Sequence, residues 1–144
     1  MELRKVFLAG WTATLMLFAQ LALAAEATVY KTPQCGCCKE YVDYLRQNGF
    51  TVKTVDLHDL TLTKRKYGVP KALEGCHTTV IDGYVIEGHV PAASIKRLLS
   101  ERPAIKGISL PGMPAGSPGM SGKKTEAFEI YAITEGPPKV YAKE

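Results

Sequence analysis

The residues with the clearest chemistry are the four cysteines. Cys35, Cys37 and Cys38 form a Cys-Gly-Cys-Cys run, and Cys76 follows alone farther along the chain. Cys35 and Cys38 have the C-x-x-C spacing of a redox dithiol, and a helix start beside them favours thiolate over thiol. A dithiol enzyme gains nothing from a third thiol at Cys37, whereas a site for a soft metal gains a ligand.

Three chemistries remain open for these cysteines. Two structural disulfides are disfavoured because a disulfide needs a specific approach of the two Cβ atoms, which adjacent Cys37 and Cys38 make awkward. A thiol–disulfide oxidoreductase would use Cys35 as exposed nucleophile and Cys38 as resolving thiol. Four thiolates would suit Cu(I), Zn(II) or an iron–sulfur cluster. We favour Cu(I), held as a cluster of several ions, because thiolates can bridge neighbouring copper ions.

Four further residues are candidate ligands of lower priority. His77 follows Cys76 directly, and His89 lies just beyond a predicted hairpin, where a role in loop structure is the ordinary alternative. Met113 and Met120 stand in a loop rich in Gly and Pro; their thioethers are soft ligands, although Met is more often core filler. The basic run of residues 64–66 is interpreted as a solvated helix face.

The first residues are typical of an export signal. Arg4 and Lys5 precede an uncharged apolar run that closes with Ala22-Leu23-Ala24, the pattern of a cleaved signal peptide over residues 1–24. An uncleaved membrane anchor is the alternative. Cleavage predicts a periplasmic protein with no membrane contact, in a compartment where unprotected thiols become oxidised.

Composition bounds the rest. The chain has 144 residues, 18 Lys and Arg against 14 Asp and Glu, and a net charge of +4, which is too mild and dispersed to indicate a nucleic-acid partner. A hydrophobic content of 46% excludes a disordered tail.

The elements that must position the cysteines form a short series. The predicted strands and helices, in chain order, are strand 27–30, a helix from the cysteine run to Asn48-Gly49, strand 50–57, helix 61–67, strands 78–81 and 84–86 around an Asp82-Gly83 turn, and a helix between Pro91 and Pro103. The order β-α-β-α-β-β-α, with a sulfur-rich loop after the first strand, predicts an α/β protein of thioredoxin-like fold.

In such a fold the loop before the third strand faces the C-x-x-C turn. Thioredoxins usually place a cis-proline there, but this chain has Gly75-Cys76-His77-Thr78 instead. We therefore expect Cys76 to lie within bonding reach of the three other cysteines.

The composition changes from about Lys106. Residues 107–122 read as a Gly/Pro/Met-rich loop, and residues 128–133 as an added C-terminal strand, with Val140-Tyr141 able to pair back against it. The predicted division is a signal peptide over 1–24, a thioredoxin-like core over 25–105, and a C-terminal extension over 106–144 packed on the same domain.

The segment from Tyr30 to about Met120 resembles the CopG-type periplasmic copper-resistance family. The matching stretches are Thr32-Pro33-Gln34-Cys35-Gly36-Cys37-Cys38, Cys76-His77-Thr78, residues 82–92 (Asp-Gly-Tyr-Val-Ile-Glu-Gly-His-Val-Pro-Ala), Pro111-Gly112-Met113-Pro114 and Gly116-Ser117-Pro118-Gly119-Met120. The resemblance implies a thioredoxin-like fold, copper bound through the cysteines, and a role in copper or silver tolerance in the Gram-negative envelope.

These observations lead to one hypothesis and two alternatives. The first is a periplasmic protein that holds Cu(I) through Cys35, Cys37, Cys38 and Cys76, for sequestration or for handling copper between its two oxidation states. The alternatives are a thiol–disulfide oxidoreductase using Cys35 and Cys38, and a metallochaperone that passes copper to envelope copper-handling proteins. The sequence favours a metal-binding protein over an enzyme, with a copper-linked oxidoreductase as the enzymatic alternative.

Overall fold

The structure is a computed structural model that describes residues 24–144. The predicted signal peptide lies outside the described residues, apart from Ala24. The strands are β1 (Glu26–Lys31), β2 (Thr51–Asp56), β3 (Thr78–Ile81), β4 (Tyr84–Gly88), β5 (Gly107–Leu110), β6 (Glu129–Ile133) and β7 (Lys139–Lys143). The helices are α1 (Gly36–Gln47), α2 (Thr61–Lys66) and α3 (Ala92–Glu101), with one 3-10 turn at Lys71–Leu73.

All seven strands form one mixed sheet with the order β2-β1-β3-β4-β5-β6-β7. β1 runs parallel to β2 and antiparallel to β3, β3 and β4 form an antiparallel hairpin, and β5 runs parallel to β4. β6 and β7 extend the sheet by antiparallel pairing. The protein therefore has a mixed α/β fold in which the C-terminal part continues the sheet of the N-terminal part.

The strongest local signals of the sequence are confirmed. The buried face of α1 consists of Cys38, Tyr41, Val42 and Leu45, the four residues that share one face at helical spacing. The Asp82-Gly83 turn joins β3 to β4, and both residues have positive φ, as a two-residue hairpin of this type requires.

Apolar residues pack on both faces of the sheet, because alternate residues of a strand point to opposite faces. In β4, Ile86 belongs to the larger core beneath α1 and α3, whereas Val85 belongs to a smaller cluster with Val69 and Leu73 near α2. Glu87 follows the same alternation as Val85, so its side chain lies on the α2 face. This placement brings a carboxylate into a buried layer.

Three predictions need correction. The predicted loop over 107–122 begins too early, because residues 107–110 form β5, which is fully buried beside β4. The C-terminal part contributes three strands, β5, β6 and β7, where one added strand over 128–133 was predicted; the expected pairing of Val140-Tyr141 against that strand is confirmed by β7. Lys64 is buried and paired with Glu87, so the solvated-face interpretation holds for Arg65 and Lys66 only. The division into domains stays a prediction.

No helix between Ala24 and Glu144 has the length and apolar character needed to cross a membrane.

Candidate metal centre

The candidate site lies where four segments leave the same end of the sheet. Cys35 follows the end of β1, and Cys76 precedes the start of β3, which is antiparallel to β1 with Tyr30 opposite Thr78. His89 follows the end of β4, and the loop after β5 starts at the same end because Gly88 pairs with Leu110. The sheet topology thus brings together residues that are far apart in the sequence.

The N-terminal cysteines are arranged by the start of α1. Cys35 is the N-cap residue, and its sulfur accepts a hydrogen bond from the Cys38 N–H at 3.3 Å. Cys38 is fully buried on the inner face of the helix, and Cys35 and Cys37 are half-buried. Cys35 and Cys38 are joined by a disulfide, and Cys37 and Cys76 are free thiols.

Each free thiol lies against one sulfur of the disulfide. The Cys37 Sγ is 3.5 Å from the Cys35 Sγ, and the Cys76 Sγ is 3.6 Å from the Cys38 Sγ. The four sulfur atoms all lie within 4.8 Å of one another. The structure therefore brings the lone downstream cysteine and the cysteine run into one cluster.

Two histidines contact the same Cys76 sulfur. The His77 Nδ1 atom is 3.2 Å from it and the His89 Nε2 atom is 3.0 Å from it. Cys76, His77 and His89 form a second group of ligand atoms that lie within 4.8 Å of one another. Cys76 is therefore shared by a four-sulfur set and a Cys-His-His set.

The protonation of these imidazoles suits ligation. The His89 Nδ1–H donates to the Pro118 carbonyl at 2.6 Å, which leaves the Nε2 lone pair facing Cys76. Burial lowers the pKa of His89, and burial together with the neighbouring His89 holds the pKa of His77 well below its usual range. Both rings are thus neutral near pH 7, the form that binds metals. Among the described residues, the His77 Nε2 atom is one of two buried side-chain polar atoms without a hydrogen-bond partner.

Cys76 is a thiol that resists ionisation in this state. Burial, with a smaller contribution from Cys37, raises the pKa of the Cys76 thiol to about 12. A bound cation would offset that cost, because thiols lose their protons when they bind metals. The site is therefore poorly suited to a free thiolate nucleophile at Cys76 and better suited to a metal-bound one.

The 114–122 loop lies directly on the start of α1. A Cβ atom at Gly119 would lie 2.9 Å from the Cys37 carbonyl oxygen and 2.7 Å from the Tyr41 amide nitrogen. Gly119 also has a φ of +80°, which favours glycine. The loop can approach the cysteines this closely, and carry the Pro118 carbonyl to His89, only with glycine at this position.

The predicted methionine ligands belong to this region. Met113 is 44% exposed and has a positive φ, whereas Met120 is half-buried and directly follows Gly119. The Met120 N–H donates to the Ser117 carbonyl at 2.8 Å, which folds the loop back on itself. The backbone of Met120 thus lies near α1, and Met113 lies toward solvent; their role as ligands stays a prediction.

We expect Gly119→Ala to detach this loop. The added methyl group clashes with backbone on α1, and the positive φ costs on the order of 1 kcal/mol for a residue with a Cβ. We predict faster protease cleavage within the 114–122 loop and a loss of the His89 Nδ1–H signal in the proton NMR spectrum.

Gly112→Ala is the matched control for that prediction. Gly112 has a φ of +81°, but a Cβ there meets nothing within 4 Å, so it carries the backbone cost without the clash. Equal cleavage of both variants would contradict a specific contact of Gly119 with α1.

Sequence reasoning missed three features of the site. Tyr41 was not predicted to belong to the site, but its ring packs against both imidazoles, with centroids 4.6 Å from His77 and 5.3 Å from His89. Pro118 contributes only a backbone carbonyl, which no side-chain motif reveals. Glu87 directly follows the predicted strand 84–86 and carries no sequence signal for a buried charge.

The fold and the site together define a small mixed α/β protein with a cysteine and histidine cluster capable of metal binding. Two solved structures, described as copper resistance protein copG, Form 1 and Form 2, are similar to it. Each has 41% sequence identity and a TM-score of 0.77, and the match covers 84% of this chain and 98% of the solved chain. The chain belongs to the CopG copper resistance protein family.

Residues 73–120 also match a family described as "Protein of unknown function, DUF411". That segment contains Cys76, both histidines of the cluster and the 114–122 loop as far as Met120. No curated protein matches the chain.

Proposed function

We propose that this copper resistance homologue is a periplasmic protein that binds Cu(I) as its cargo. The reduced protein, without the disulfide, would hold the ion through Cys35, Cys37, Cys38 and Cys76. The observation that carries the proposal is the meeting of four sulfur atoms from two separate chain segments within 4.8 Å. Two sulfur ligands of one metal ion lie at most about 4.6 Å apart, twice a typical metal–sulfur bond. The cluster therefore needs little rearrangement to share one ion or several bridged ions.

The chemistry of the donors supports copper in particular. Thiolates are soft ligands that prefer Cu(I), and imidazoles also suit copper. A set of one cysteine and two histidines is found in proteins that carry copper in both oxidation states. Because Cys76 belongs to both sets, we propose His77 and His89 as further ligands and Met113 and Met120 as ligands of lower priority.

The disulfide supports a redox role beside sequestration. Disulfide sulfurs are poor ligands, so a site with four thiolates requires reduction of the Cys35–Cys38 bond. In the reverse direction, forming that bond from two thiols releases two protons and two electrons, which reduce two Cu(II) ions to Cu(I). Copper-linked dithiol oxidation of this kind would let the protein handle copper in both oxidation states.

The proposed setting rests on the sequence and the strand order. The export signal over residues 1–24 supports a periplasmic location, where the oxidised state of the dithiol is expected. The strand order β2-β1-β3-β4, with α1 joining parallel β1 and β2, supports a thioredoxin-like core over 25–105, with residues 106–144 as an extension of the same domain. We propose copper ions and envelope copper-handling proteins as partners.

Anaerobic titration of the reduced protein with Cu(I), in competition with a chromophoric chelator, tests the proposal. We expect at least one copper ion per chain and a thiolate–Cu(I) charge-transfer band in the ultraviolet. The same titration of the disulfide form is the control and should show weaker binding, because two of the four thiolates are absent. A reduced protein that binds less than one equivalent would refute the proposal.

A thiol–disulfide oxidoreductase is the second candidate. The Cys35–Cys38 disulfide favours it, because Cys35 is the partly exposed member of the pair and Cys38 the buried one, as a nucleophilic and a resolving thiol would be. It predicts insulin reduction that survives Cys37→Ser and Cys76→Ser and is lost in Cys35→Ser. Absence of this activity in the metal-free protein would exclude the oxidoreductase.

Measured rates of copper transfer to acceptor proteins would distinguish a metallochaperone from a storage protein.

A further inference from the structure

A buried ion pair lies behind the cluster, on the opposite face of the sheet. The Glu87 carboxylate is fully buried in β4, and the Lys64 ammonium reaches it from α2. The Glu87 Oε1 atom accepts a hydrogen bond from the Gly75 N–H at 2.7 Å, and the Glu87 Oε2 atom accepts one from the Thr78 hydroxyl at 2.7 Å. Lys64 also donates to the Thr78 hydroxyl at 3.2 Å. Every charged group here is thus compensated, as burial requires.

These hydrogen bonds lie on either side of Cys76 and His77, the two ligand candidates that directly precede β3. Gly75 and Thr78 lie on either side of Cys76-His77, so one carboxylate holds both ends of that dipeptide. The neighbouring Gly88 N–H donates to the His77 carbonyl at 3.1 Å, and a Cβ atom at Gly75 would lie 2.7 Å from the Gly88 Cα. The segment that carries Cys76 is therefore fixed to the end of β4 by side-chain and backbone contacts together.

Stability alone does not account for this arrangement. Replacing a buried ion pair by apolar residues of similar volume is often neutral or stabilising, because the charges lose their hydration. A site that must hold its ligands within about 0.5 Å of a productive geometry, by contrast, needs supporting hydrogen bonds behind them. Lys64 and Glu87 provide such bonds at the only cysteine outside the N-terminal run.

We propose that Glu87, held by Lys64, is a positioning residue that fixes Cys76 and His77 at the distance from the N-terminal cysteines that copper loading requires. The proposal rests on the proposed copper-binding function and adds to it. It makes a claim about the metal-free protein as well: without the Glu87 carboxylate, the Cys76 segment should open more often, whatever the metal.

Two double variants separate positioning from stability. Lys64→Met with Glu87→Leu removes the ion pair and leaves both the Gly75 N–H and the Thr78 hydroxyl without their carboxylate acceptor. Lys64→Met with Glu87→Gln also removes the charges but keeps a carbonyl oxygen for Gly75. We expect the leucine variant to bind Cu(I) about 10- to 100-fold more weakly than the wild type, the usual effect of losing a supporting contact. We expect the glutamine variant to bind within about threefold of the wild type, since the hydrogen bond persists.

Alkylation of the metal-free disulfide form gives the second readout. Iodoacetamide labelling followed by peptide mapping distinguishes the two free thiols, Cys37 and Cys76. Labelling of Cys76 should be about 5- to 30-fold faster in the leucine variant, the range that corresponds to one or two lost hydrogen bonds, while labelling of Cys37 stays unchanged. The exposed pair Glu26–Lys53, replaced by Leu and Met, is the matched control and should change neither readout.

The outcomes are distinguishable. A folded leucine variant with wild-type Cu(I) affinity and wild-type Cys76 labelling would overturn the positioning role and leave the copper site intact. A wild type that binds no Cu(I) would overturn the proposed function, and the labelling rates would still decide whether Glu87 positions Cys76. If circular dichroism shows the leucine variant to be unfolded, Thr78→Val is the milder change: it removes the hydroxyl that contacts both the carboxylate and Lys64 and leaves the ion pair in place. Wild-type affinity and wild-type Cys76 labelling in that variant would overturn the proposal.

Discussion

Replacing Cys76 by serine should weaken Cu(I) binding by about 100-fold or more, because the Cys76 sulfur is the atom shared by both ligand sets. It lies 3.6 Å from the Cys38 sulfur and 3.0 Å from the His89 Nε2 atom. Serine keeps the size of the side chain but replaces a soft sulfur by a hard oxygen that stays protonated. A 100-fold loss corresponds to about 2.7 kcal/mol of binding free energy. Competition with a chromophoric chelator measures it.

Two controls define what that result means. Cys37→Ser removes one sulfur but leaves the Cys-His-His set complete, so we expect a smaller loss of affinity. His58→Ala changes an exposed histidine in the loop after β2 and should have no effect. If Cys76→Ser bound Cu(I) as tightly as the wild type, the cysteine run alone would hold the metal and the convergence of the two segments would have no functional meaning.

The parts of the site that the sequence predicted depend on local rules. The helix after the cysteine run is specified by apolar residues at helical spacing and by its Asn48-Gly49 end, and the β3–β4 hairpin by its Asp82-Gly83 turn. Once those elements are placed, sheet topology puts the start of β3 beside the end of β1. The position of Cys76 near the cysteine run follows from these few signals.

The remaining parts depend on contacts that no local pattern carries. Lys64 stands in a run of basic residues on a short amphipathic helix, and such runs are normally solvated. Lys64 is buried because it pairs with Glu87, which lies 23 residues farther along the chain. The sequence around either residue contains no pattern that indicates this pairing. The strand that begins at Gly107 was missed for a related reason, since glycine is depleted in strands and is accepted here because β4 approaches closely.

A different limit applies to the cysteines themselves. The same four residues can form a disulfide with two free thiols or a set of four thiolates, and sequence spacing is compatible with both. The choice depends on the redox state and on the metal available, which are properties of the surroundings.

Tyr41→Ala should remove about 3–5 kcal/mol from the free energy of unfolding, the usual cost of truncating a buried aromatic side chain. The Tyr41 ring is fully buried, lies against both His77 and His89, and its hydroxyl donates to the Val90 carbonyl at 2.7 Å. Burial holds the pKa of Tyr41 well above its usual range, so the hydroxyl remains a donor at every pH of interest. A small domain has only about 5–15 kcal/mol in total, so this loss is a large fraction. Urea unfolding of the metal-free disulfide form measures it.

Tyr41→Phe separates the ring from the hydroxyl. It keeps the surface that packs on both imidazoles and leaves only the buried Val90 carbonyl without its donor, which costs about 1–3 kcal/mol. Because the ring keeps the histidines in place, Tyr41→Phe should bind Cu(I) as the wild type does. Tyr41→Ala should bind Cu(I) more weakly, even when the variant is folded in the absence of urea. A Tyr41→Ala protein that loses less than about 1 kcal/mol would mean that the cavity collapses around the histidines. In that case the imidazoles, rather than the tyrosine, would set the spacing of the cluster.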